Sequence, residues 1–167
     1  EKGAELICLA YEAGVNFFDT AELYDTYEPL RLALRKYPDL IIASRSYAAS
    51  GEEMRRSIDS AQKQLGRDYI DIFGLHEVEN AASLKGHQAA LDYLNEAKAK
   101  GIIRAVEIST HYVAGVRAGA TDPGVDVIHP LINRDGIGIK DGSITEMVAA
   151  IRTAAEFGKG IYAMKVL

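Results

Sequence analysis

What most constrains this chain is a regular alternation. Short apolar runs at 15–18, 40–43, 69–75, 102–108, within 125–132 and at 161–164 are the material of buried strands. Between them lie segments at 30–37, 50–66, 87–100, 112–118 and 144–157 with apolar residues at helical spacing. A further amphipathic segment, 4–13, precedes the first strand. Repeated strand–helix units of this kind predict a parallel sheet covered by helices. The punctuation agrees. Ser50 with Glu53 is a capping box, Met54, Ile58, Ala61 and Leu65 continue at helical spacing, and Gly66 closes the helix. Residues 80–85 read as loop and 133–143 as a glycine-rich connection, while Pro130 ends the fifth strand. The glycines of 133–143 lack the spacing and lysine–hydroxyl pair of a triphosphate loop.

A doubly wound sheet and a closed barrel both fit this alternation. No G-x-G-x-x-G follows the first strand, so the open dinucleotide-binding sheet loses its main signal. A complete eight-stranded barrel takes about 250 residues. The 167 residues here hold about six βα units. The expectation is an incomplete TIM (β/α)8 barrel, one domain over 1–167, with the first and last strands absent. Such a piece exposes two strand edges. It predicts flanking barrel segments, or self-association, to cover them.

Composition narrows the partners. Hydrophobic content of 48% with 26% charged residues is that of an ordinary folded domain. A net charge of -5 argues against nucleic acid and against an anionic membrane surface. No apolar run is long enough to span a bilayer, and the opening residues lack the pattern of a secretory signal. Cys8 is the only cysteine, which excludes an intrachain disulfide and a cysteine-built metal cluster. No zinc-ligand spacing competes, so no metal is expected. A reducing, cytoplasmic setting is the default.

Polar residues recur where the strands end: Asp19, Arg45, His76 with Glu77, Ser109 with His111, Asn133, and Lys165. In a barrel those ends converge on one rim, where active sites lie. Each residue also has a plain reading. Asp19 can cap a helix, Arg45 can be a surface cation, and His76 a satisfied, partly buried histidine. Their periodic placement is what raises the functional reading.

The motifs resemble a known family. GVNFFDTA over 14–21 with Tyr24 resembles the first signature of the aldo-keto reductases. EMRRSI at 53–58, QLGRDYID at 64–71 and GIIRAVEIS at 101–109 resemble that family's following helix and strands. The likeness is nearest to a bacterial branch whose members often carry a C-terminal iron–sulfur domain. It implies an NADPH- or NADH-dependent oxidoreductase reducing a small carbonyl compound with a tyrosine, lysine, histidine and aspartate. Carried over, these are Tyr24 as proton donor, Arg45 at the lysine position, His76 and Asp19. Nicotinamide contacts fall at Ser109, Thr110 and His129, where an asparagine is usual at 110 and a glutamine common at 129. Arginine stays charged and cannot relay a proton as lysine can. The resemblance therefore also admits a non-catalytic relative acting as a binding or regulatory protein.

Overall fold

The computed structural model describes residues 2–167. Six strands, β1 (Phe17–Asp19), β2 (Ile41–Ser46), β3 (Ile70–Leu75), β4 (Ile103–Thr110), β5 (Val127–Pro130) and β6 (Gly160–Ile161), form one sheet in sequential order. All five pairings are parallel. The sheet curls through 222°, an incomplete barrel of the (β/α)8 type. Helix α1 (Lys2–Glu12) precedes β1. Helices α2 (Tyr27–Leu34), α3 (Gly51–Leu65), α4 (Ala81–Gly86), α5 (Gln88–Ala99), α6 (Val113–Thr121) and α7 (Ile144–Glu156) lie in the connections.

The helices form where their ends are satisfied and one stripe is apolar. Ser50 accepts from the Glu53 amide while Glu53 accepts from the Ser50 amide, and Gly66 closes α3 in the left-handed conformation. Met54, Ile58, Ala61 and Leu65 are all buried. Met54, Ile58 and Leu65 each contribute about 1.5–3 kcal/mol on burial. Ser143 and Glu146 repeat the capping box on α7.

Several boundaries differ from the sequence reading. Residues 81–86 are helical rather than loop, because Asn80 and Ser83 cap each other's amides. Val15 belongs to the turn that ends α1, with its amide on the Ala10 carbonyl, and is exposed. Strand β2 runs on through Ser46, so Arg45 lies inside the strand rather than beyond it. Strand β6 covers only Gly160–Ile161, with one isolated pairing of Leu131 and Met164 further along. On α7 the buried residues are Met147, Ala150 and Ala154, and Ala155 faces out.

Candidate active site

Strand register determines which side chains meet. Arg45, Gly74, Glu107, Val127 and Gly160 form one continuous line across β2 to β6. Gly74 sits between Arg45 and Glu107 without a side chain. A Cβ there would lie 2.0 Å from the Glu107 carbonyl oxygen and 2.7 Å from its Cβ. The arginine therefore reaches over β3 to the glutamate, Nε donating to Oε1 at 2.8 Å. Both side chains are buried, Arg45 at 2% exposure and Glu107 at 0%.

The rest of the guanidinium is also engaged. One terminal nitrogen donates to Asp19, at the end of β1, and to the Tyr162 hydroxyl at 2.9 Å. The other lies 3.4 Å from the second Asp19 oxygen. Tyr162 Oη is also in contact with a carboxylate oxygen of Glu107 and lies 3.1 Å from Asp19 Oδ1. His129 stacks on the Tyr162 ring at 4.0 Å, shares a hydrogen bond through Nδ1 with the Tyr162 carbonyl, and has Nε2 3.8 Å from Asp19. A cation buried this far needs such partners, because its desolvation costs several kcal/mol, on the order of what the pairing returns.

Burial sets the protonation states. Burial pushes the Glu107 carboxyl up to about 7, against the opposing pull of Arg45. Burial first and the Arg45 charge second hold His76 and His129 down to about 4, so both imidazoles are neutral near pH 7. The Tyr162 phenol is pushed well above its ordinary value by burial and by Glu107.

A second group stands at the rim. Tyr24, in a short 3-10 turn at Glu22–Tyr24, is half-exposed and meets the His76 ring edge-on at 5.9 Å. Tyr47 stacks on the same imidazole, 4.4 Å between ring centres, and donates to Glu77 at 2.6 Å. His76 Nδ1 is buried without a partner. So the structure brings Asp19 and Arg45 together, and separately Tyr24 and His76. Among the described residues no hydrogen bond joins Tyr24 to Arg45.

Ser109, Thr110 and His129 are all buried. Ser109 Oγ accepts the Glu77 amide at 3.1 Å. Thr110 is turned toward α6, where its hydroxyl accepts the Tyr112 amide and fills the space opposite Gly115. His111 lies 2.6 Å from the Lys165 ammonium through Nε2, and its Nδ1 is 3.1 Å from Glu77 without hydrogen-bond geometry. Burial and Lys165 lower the His111 pKa. Beside it, Asn133, Arg134, Lys140 and Lys165 line a groove of about 630 Å³. No group of three metal-ligating side chains occurs among the described residues.

Sequence reading missed Glu107 and Tyr162. The signal for Glu107 was present, since a glutamate between Val106 and Ile108 inside an apolar strand must be paired. Tyr162 carried none, because a tyrosine in a strand has an ordinary packing explanation.

A curled parallel sheet with charged side chains gathered at its carboxyl ends defines the β/α-barrel class. Within that class the chain belongs to the aldo/keto reductase family, whose profile matches residues 1–129. L-galactose dehydrogenase of Arabidopsis thaliana is 23% identical over 164 residues, covering 86% of this chain and 49% of that protein. A solved Pseudomonas aeruginosa protein assigned as an aldo-keto reductase superimposes with a TM-score of 0.79 at 26% identity, over 97% of this chain and 64% of that one. An aldo-keto reductase of Bombyx mori, solved in complex with NADP, superimposes with a TM-score of 0.71 at 16% identity, over 97% and 55%. The chain thus spans between about half and two-thirds of the length of these relatives. No helix among the described residues is long and apolar enough to cross a membrane.

Proposed function

We propose that this chain forms part of an NADPH- or NADH-dependent oxidoreductase that reduces an aldehyde or ketone to an alcohol. The observation that carries the reading is the Asp19–Arg45 ion pair on the rim that also holds Tyr24 against His76. A bound nicotinamide supplies hydride in such a reaction. The groove's cations, Arg134, Lys140 and Lys165, outnumber its acidic side chains, Glu77 and Asp135, and suit an anionic dinucleotide. Ser109 and His129 remain as nicotinamide contacts in this proposal, since they share a strand face with Glu107 and Val127. Thr110, facing α6, supports the strand instead.

The chain's own residues then divide the work. Tyr24 donates a proton to the carbonyl oxygen as negative charge develops there. His76, neutral because of its burial, offers a hydrogen bond without adding charge. Arg45 supplies a fixed positive field, and Asp19 holds the guanidinium in place. The test is aldehyde-dependent oxidation of NADPH by the full-length protein. Tyr24→Phe is expected to slow it by about 10²–10⁴ while cofactor binding persists. Unchanged turnover in that variant overturns the donor assignment.

A second reading has its own support. All three side-chain nitrogens of Arg45 are engaged with Asp19, Glu107 or Tyr162. That favours a non-catalytic relative in which the site binds without turnover. Nicotinamide binding by the full-length protein with no reduction of any aldehyde selects it. In either reading the setting is cytoplasmic and reducing. The edges at β1 and β6 are covered by further segments of a longer protein or by self-association. The bacterial branch with an iron–sulfur domain belongs to the proposal as well. Iron analysis of the full-length protein reads that point directly.

A further inference from the structure

The buried cluster has an imbalance that its geometry exposes. One guanidinium faces two carboxylates, Asp19 and Glu107. Tyr162 Oη is within hydrogen-bond reach of both, Asp19 Oδ1 at 3.1 Å and Glu107 Oε2 more closely. A hydroxyl has one proton and can donate to only one of them. Arg45 Nη2 donates to both Tyr162 Oη and Asp19 Oδ1. One guanidinium charge nonetheless faces two carboxylates, one of them fully buried, and the balance calls for a second proton on a carboxyl.

We propose that Glu107 holds that second proton, and that Glu107, Tyr162 and Asp19 form a three-member proton wire from the buried side of the sheet to the rim. In one state Glu107 O–H donates to Tyr162 Oη, and Tyr162 O–H donates to Asp19. In the other, the Glu107 O–H bond has broken and its proton has passed to Tyr162 Oη. The proton first on Tyr162 has then passed to Asp19 Oδ1. Glu107 becomes a carboxylate, Asp19 becomes a carboxylic acid, and Tyr162 is unchanged. The net charge of the cluster is the same in both states. Glu107 is completely buried, whereas the Asp19 side chain is 34% exposed, so only the Asp19 end meets solvent. Exchange with solvent therefore runs through Asp19.

Every strand contributes a group to this environment: Asp19 from β1, Arg45 from β2, His76 after β3, Glu107 and His111 from β4 and its end, His129 from β5 and Tyr162 after β6. Both His76 and His129 are neutral near pH 7, so neither supplies a competing positive charge. The upward shift of Glu107 agrees with a stored proton.

The test needs no substrate, so its failure and that of the reductase reading are distinguishable. Glutamate and aspartate carboxyls are labelled with carbon-13 in the full chain and titrated by NMR. One glutamate is expected to titrate near neutral pH, apart from the others, with one aspartate responding over the same range as coupled groups do. Glu107→Gln removes the high-titrating glutamate. Tyr162→Phe keeps that glutamate but abolishes the coupled aspartate response. Glutamates that all titrate together in the ordinary acidic range overturn the stored proton, and this reading needs no variant. A high-titrating glutamate that survives Glu107→Gln overturns the assignment. A coupled response unchanged in Tyr162→Phe overturns the wire.

Discussion

Arg45→Met puts the buried cluster under the most direct stress. Methionine keeps much of the aliphatic stem, so little cavity opens and the cost is electrostatic. Asp19 is 34% exposed in its side chain and regains water. Glu107 is 0% exposed and does not. It loses the 2.8 Å bond from Arg45 Nε and retains only the Tyr162 hydroxyl. Breaking one side of a buried ion pair costs about 3–5 kcal/mol. For a domain of this size that corresponds to roughly 6–20 °C in Tm. Glu107 carries a proton in one state of the cluster, so the full cost appears only above about pH 7, where it is ionised, and shrinks as pH falls. Arg45→Met with Glu107→Gln removes the stranded charge, and the pair of changes should cost about 2 kcal/mol or less. Urea unfolding at alkaline and acidic pH measures this through the midpoint, provided the slope stays constant. A single-variant loss under about 1 kcal/mol well above pH 7 refutes the reasoning. So does a double variant whose cost is the sum of its parts.

Two further outcomes follow from the same geometry. His129 is held at about 4 in the folded chain, against an ordinary 6.5, by burial and then by Arg45. A depressed folded value means stability that is present above about 6.5 and lost as pH falls toward 4. His129→Gln should flatten that acid slope by up to about 1.4 kcal/mol per pH unit, read by chemical unfolding across pH 4 to 6.5. An unchanged slope contradicts the buried neutral imidazole. Gly115→Ala sets a Cβ 2.2 Å from Thr110 Oγ1 and 2.3 Å from the Val78 carbonyl oxygen. Backbone cannot yield as a flexible side chain does, so overpacking of about 1–3 kcal/mol should outweigh alanine's better helix propensity of about 1 kcal/mol. A rise in Tm on thermal melting refutes the close approach of α6 to β4.

Local chemistry was legible in the residues themselves. The strand–helix alternation, the Ser50–Glu53 cap and the apolar stripe from Met54 to Leu65 depend on neighbours within about one or two helical turns. Each could therefore be read without knowing the fold. The same holds for the end of β1 at Asp19, where an apolar run stops on a carboxylate. Helix α4 escaped because Asn80 and Ser83 form a cap without the acidic residue that usually announces one.

Tertiary structure decided which charges meet. Arg45 reaches Glu107 across 62 residues of sequence and Tyr162 across 117. Those contacts depend on parallel register and on the curl of the sheet. Gly74 leaves the lane between β2 and β4 clear, and a one-residue slip in any pairing would turn Arg45 or Glu107 to the helical side. Local pattern was enough for a parallel sheet with polar strand ends, and for Asp19 and Arg45 among them. Only the curled array of strands could make Glu107 and Tyr162 their partners, because side chains on distant strands share one interior only after the sheet has bent around it.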